Sequence, residues 1–131
     1  MAPAARARVD GWLDWAATRL QPDFLSGVFW GGYRTPEAER DHPRLKQAIV
    51  ATGRNMALLD GMLAGRKWML GSRPCLADIA IGAHLYRYFE MPLERPDLPH
   101  LRRWYDHLCT RDSYRTTVCV PFDHMEGRLA Y

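Results

Sequence analysis

Residues 72–82 read SRPCLADIAIG, an apolar run with a carboxylate, Asp78, near its head. Asp is a poor helix-interior residue, and burying its charge is costly unless the charge is paired. Asp78 lies three residues after Cys75, which is the spacing of a capping box. In that arrangement the carboxylate reaches back to the backbone N–H of the cap residue. It also faces the positive end of the helix dipole, worth about 0.3–1 kcal/mol at an exposed site. Asp78 is therefore read as a structural group that holds the first turn of a buried helix. A general-base role would require a His or a metal ligand close by in sequence, and none stands there. The cap residue itself is unusual. Ser, Thr, Asp and Asn are the common choices, whereas a thiol accepts only weakly. Either Asp78 alone carries the box or the cap shifts toward Ser72. Cys75 has two readings: a reactive thiol activated by the helix N-terminus, or a small buried residue.

The helix that Asp78 opens is predicted from Leu76 to about Phe89. Its first half is apolar on every side, which predicts a central helix surrounded by others. MPLERPDLP (residues 91–99) breaks it, and Asp97 then caps a helix carrying Pro99 in its first turn. Leu98, Leu101, Trp104, Tyr105 and Leu108 form the stripe that this helix buries. Asp112 caps a last short helix through Val118, and the tail from Pro121 is irregular.

Upstream, Leu45 to about Ala64 is amphipathic, with Leu45, Ile49, Thr52, Met56, Leu59 and Leu63 on one face and Gly65 as its stop. Ala4 to about Tyr33 reads as one long helix with Val9, Leu13, Ala16, Leu20 and Phe24 at helical spacing. Pro22 must end or kink it, because it removes a donor and clashes with the preceding turn. Trp30 to Pro43 is a turn-rich joint in which Pro36 opens a short helical turn. No period-two pattern of useful length exists, and TTVCV (residues 116–120) is too isolated to build a sheet. The chain is predicted to be a single all-α domain over residues 1–131, a helical bundle of about four main helices and one or two short ones.

Composition removes several function classes. Apolar residues make up 47% and charged residues 25%, which marks a globular chain. A net charge of +3 with scattered Arg is too mild for nucleic acid. No run approaches the about 18 apolar residues of a membrane span, and no signal-peptide core opens the chain. The three cysteines, Cys75, Cys109 and Cys119, fit free thiols in a reducing cytoplasm better than a disulfide framework. The five histidines lack metal-ligand spacing, so no metal is expected.

LAGRKWMLGSRPCLADIAIGAHLYRYF (63–89) and RPDLPHLRRWYDHLCTRDSYRTTV (95–118) resemble the C-terminal helical domain of bacterial glutathione S-transferases. ARVDGWLDWAATRLQPDFLSGVFWG (7–31) looks like that domain's first helix. The family pattern at the central helix is Ser or Thr, two residues, then Asp, regarded there as a stability element; Cys75 departs from it. The resemblance implies a role in binding a hydrophobic electrophile. Gln21, Phe24, Val28, Arg87 and Phe122 are the substrate-binding residues expected from it. Catalytic residues are expected to be absent, because the family's glutathione site and thiol-activating group lie in an N-terminal thioredoxin-like domain whose strands and cis-Pro motif are not seen here. Glutathione enters as a co-substrate only where that domain is present. The resemblance further implies a cytoplasmic homodimer that contacts the thioredoxin-like domain, with no nucleic acid or membrane as partner. The alternative is a stand-alone interaction module, with Trp12, Trp15, Phe29 and Trp30 as an exposed patch that recruits another protein.

Overall fold

Pro22 does not end the first helix. In the computed structural model, which describes residues 2–130, helix α1 (Pro3–Trp15) runs directly into a π-helical segment over Ala16–Arg34 that contains Pro22. The sequence carries a reason. Ala16, Leu20, Phe24, Val28 and Gly32 are all buried and recur strictly every fourth residue. On an α-helix of about 3.6 residues per turn such a stripe drifts by about 40° per repeat, and a wider winding reduces that drift. A wider turn also draws the proline ring away from the carbonyl it would otherwise strike.

Helix α2 (His42–Leu63) starts three residues earlier than the periodicity alone suggests, because Asp41 caps it by accepting the Arg44 N–H at 3.1 Å. Thr52, Met56, Leu59 and Leu63 are buried as expected, whereas Ile49 is 39% exposed. Gly65, with φ of 71°, supplies the left-handed stop. The π segment crosses α2 so closely that a Cβ on Gly27 would lie 2.6 Å from the Ala48 Cβ. A short 3₁₀ turn (Glu37–Glu39) follows Pro36 and joins the two helices.

The central helix is broken. Helix α3 (Leu76–Gly82) gives way to a turn at Ala83 and His84 before α4 (Leu85–Glu90). Nor is α3 surrounded: Ala77, Asp78, Ile81 and Gly82 are buried, but Leu76 is 60% and Ile79 64% exposed. An all-round apolar sequence therefore marks a half-covered rod here, not an inner one.

Helix α5 (Pro99–Cys109) buries Leu101, Trp104, Tyr105 and Leu108, and α6 (Asp112–Thr117) buries Tyr114. Asp97 does not cap α5. That service comes from α2, where Asp60 accepts the Leu101 N–H at 2.9 Å. Asp112 lies inside α6 and pairs with Arg115. The tail is fixed by the end of the π segment: buried Arg34 donates to the Arg128 and Ala130 carbonyls at 2.8 and 3.0 Å. Among the described residues there is no strand, only an isolated bridge between Trp68 and Gly71. The fold is all-α, with one continuous core gathered from every major helix.

Candidate functional site

Asp78 is 1% exposed, and its carboxylate is fully engaged. Oδ2 accepts the Cys75 N–H at 2.9 Å, which is the expected reach of the capping box, and the Cys75 sulfur takes the other half. Oδ1 accepts two further donors at 2.9 Å: the Met69 N–H from the preceding loop and the Trp104 indole N–H from α5. Three charge-assisted bonds join a loop, the start of α3 and the middle of α5. Asp78 is thus a structural node with no lone pair aimed at solvent. Burial pushes the Cys75 thiol above its usual range, opposing the activation that a helix N-terminus would give it.

A second cluster of side chains, mostly aromatic, lies elsewhere. Phe29 and Tyr33 sit one wide turn apart on the π segment and stack at 5.7 Å. Phe122, delivered by the chain after α6, meets Phe29 at 5.7 Å, Tyr33 at 5.2 Å and Tyr86 of α4 at 5.8 Å, all edge-on. The Arg87 guanidinium lies 4.3 Å from the Phe29 ring centre. Tyr33, Tyr86 and Arg87 are half-buried. Burial and the nearby Glu126 and Asp123 push the Tyr33 phenol up, and burial with Glu90 does the same for Tyr86. Both phenols therefore stay protonated near neutral pH and present hydrogen-bond donors. The result is an aromatic wall with two phenolic hydroxyls and one cation at its rim.

The residues expected from sequence separate on this map. Arg87 and Phe122 meet across Phe29 in the wall. Phe24 is fully buried, edge-on to Tyr88 at 5.8 Å, and Val28 is 1% exposed. Gln21 is exposed. Of the four aromatic residues expected as a patch, Phe29 is interior, and Trp12, Trp15 and Trp30 are half-buried. Tyr33 and Tyr86 were legible only in retrospect, since neither falls on the apolar stripe of its helix. His84 packs edge-on to Phe24 at 6.1 Å, and burial, with the Arg87 charge adding, holds its imidazole down to about 4. It is neutral in this setting. No group of three or more His, Cys, Asp or Glu residues able to hold a metal occurs among the described residues, and no helix there is long and apolar enough to cross a membrane.

Grooves flank the helices. One of about 660 Å³ lies between the π segment and α2, beside Asp23, Trp30 and Arg44. Another, about 640 Å³ and more apolar, runs between Ile79 of α3 and Tyr114 and Val118 of the α6 region.

Comparison with known proteins points one way. Residues 16–112 match the family described as "Glutathione S-transferase, C-terminal domain". Glutathione S-transferase GstB of Escherichia coli K12 is 36% identical over 119 residues, covering 91% of this chain and 57% of that protein. The theta class glutathione S-transferase of the citrus canker pathogen Xanthomonas axonopodis pv. citri, solved with glutathione bound, superposes with a TM-score of 0.86 at 43% identity, covering 92% of this chain and 63% of that one. FzlA from C. crescentus shares the fold, with a TM-score of 0.72 at 24% identity. The chain thus spans less than two thirds of the length of these relatives.

Proposed function

The chain belongs to the glutathione S-transferase family, matching its C-terminal domain, and from that premise we propose that it supplies the acceptor-binding half of a glutathione transferase. The observation that carries this reading is the convergence of Phe29, Tyr33, Tyr86, Arg87 and Phe122 from three separate parts of the chain onto one wall. The acceptor in this reading is a hydrophobic electrophile, aromatic by complementarity to the edge-on rings. The wall positions its reacting carbon and strips water from it, while Arg87 faces the negative charge that develops on the leaving group.

Glutathione itself does not fit these residues. Among the described residues no strand offers an edge for the tripeptide backbone. The thiol-activating step is therefore assigned to a thioredoxin-like partner domain, with a homodimer as the working assembly. Phe24 and Val28 enter the proposal as supports behind the wall through the core, and Gln21 as an exposed polar contact for the acceptor.

The test is direct. Titration with an aryl halide should give saturable quenching of tryptophan fluorescence. Arg87→Gln and Phe122→Leu, with unchanged far-ultraviolet circular dichroism, should each weaken binding about tenfold, the equivalent of about 1.4 kcal/mol. The chain alone should not accelerate conjugation of glutathione to the halide. Turnover proportional to chain concentration, or binding indifferent to both substitutions, would refute the proposal.

A second reading is an interaction module, favoured by the adjacent exposure of Leu76 and Ile79 on α3. It requires self-association or partner capture that Ile79→Lys abolishes. Halide binding that Ile79→Lys leaves unchanged supports the first reading.

A further inference from the structure

Phe122 is the one ring of the aromatic wall that no helix carries. It lies in irregular chain between α6 and a 3₁₀ turn (Asp123–Met125). Such segments open easily unless their backbone is tied down. Here a ladder of hydrogen bonds ties it. The Phe122 carbonyl accepts the Met125 N–H at 2.9 Å, and the Met125 carbonyl accepts the Arg128 N–H at 3.1 Å. The Arg128 carbonyl accepts Nε of Arg34 at 2.8 Å, and Nη2 of the same guanidinium reaches the Ala130 carbonyl at 3.0 Å. Beside it, the Gly127 N–H donates to the Tyr33 carbonyl at 2.9 Å. Arg34 is 2% exposed, and its guanidinium lies 4.0 Å from the Trp30 ring centre. Charge-assisted bonds from a rigid, buried fork hold their acceptors in one place.

We propose that Arg34 is a positioning residue for the wall: it clamps residues 127–130 onto the end of the π segment and through them sets the Phe122 ring against Phe29, Tyr33 and Tyr86. Gly127, with φ of 64°, is the bend that the clamp needs. The role in binding rests on the acceptor reading; the placement of the ring does not.

Two variants release the clamp by separate routes. Arg34→Met removes the guanidinium. Gly127→Pro removes the N–H that Tyr33 accepts and forbids the positive φ, yet an added Cβ there meets nothing within 4 Å, so the core is spared. The chain has four Phe residues, so uniform 4-fluorophenylalanine labelling gives four ¹⁹F resonances, and Phe122→Leu identifies that of Phe122. In both variants this resonance should move toward that of a solvent-exposed ring. The Phe29 resonance should follow in part, and the other two should hold. Aryl halide binding should weaken about tenfold in each variant, and Phe122→Leu added to either should weaken it no further, because the clamp acts through that ring. A Phe122 resonance unmoved in Gly127→Pro overturns the proposal, as does halide binding by the parent chain that neither variant weakens. A moved resonance in a parent chain that binds no halide upholds the clamp and refutes the acceptor reading.

Discussion

Replacing Asp78 by Asn removes a charge while keeping nearly the same shape. Oδ1 can still accept from Met69 and Trp104, each at 2.9 Å, but those bonds lose their ionic character. The new amide must turn its N–H₂ toward the Cys75 N–H, a donor against a donor, where a 2.9 Å bond now stands. Bonds to charged groups contribute about 1.5–3 kcal/mol and neutral ones about 0.5–1.5 kcal/mol, so the single lost bond and two weakened ones should cost about 3 kcal/mol. For a chain of this size that corresponds to a fall in Tm of about 10 °C. Asp78→Ala leaves all three donors unmet and costs more, enough to unfold a chain whose total stability is about 5–15 kcal/mol. Asn is therefore the informative variant. Urea denaturation followed by tryptophan fluorescence should show a lower midpoint with an unchanged slope. Trp104→Phe deletes one donor, and the double variant with Asp78→Asn should cost less than the sum, because Asp78→Asn weakens the same bond that Trp104→Phe removes. A loss below about 0.5 kcal/mol for Asp78→Asn, within the range of ordinary surface substitutions, would refute the assignment of Asp78 as the node.

Gly27→Ala should destabilise by about 1–3 kcal/mol through the clash with Ala48, whereas Gly53→Ala, where an added Cβ meets nothing within 4 Å, should stabilise by about 0.4–1 kcal/mol. Thermal melts of the two variants side by side check the pair. Asp60→Ala should cost about 1 kcal/mol by uncapping α5, visible as a lower urea midpoint. His84 makes stability depend on pH. Its folded value, about 4, lies below the unfolded 6.5, so the unfolded chain binds the extra proton. The stabilisation is present above pH 6.5 and is lost as the pH falls toward 4, amounting to about 2 kcal/mol between pH 7 and 5. In His84→Gln the urea midpoints at those two pH values should draw closer by that amount.

Much of the fold was legible because it rests on local signals. Gly65 stops α2, Pro36 opens the turn after the π segment, and Cys75 with Asp78 places the start of α3, each within a few residues of the element it controls. The failures share a cause: they depend on what lies across the molecule. Asp97 had the right residue type and spacing to cap α5, but Asp60, 41 positions upstream, reaches Leu101 first. The apolar girth of α3 says nothing about how many neighbours exist to cover it, and Leu76 and Ile79 remain open. The turn at Ala83 and His84 lacks Pro or a left-handed Gly, so no breaker announces it. Pro22 was read against α geometry, although the four-residue recurrence around it was already visible. In the wall, Arg87 and Phe122 were accessible to reasoning by resemblance, while Tyr33 and Tyr86 required the chain after α6 to be brought back against them.

A loop is ordinarily where a protein first breathes, and its amides trade their protons with water within moments. The stretch from Gly65 to Pro74 is a loop by shape, yet the Met69 amide is locked onto Asp78, which is locked in turn onto the indole of α5. That proton cannot escape unless α3 and α5 separate, so its deuterium uptake should keep time with unfolding of the whole molecule.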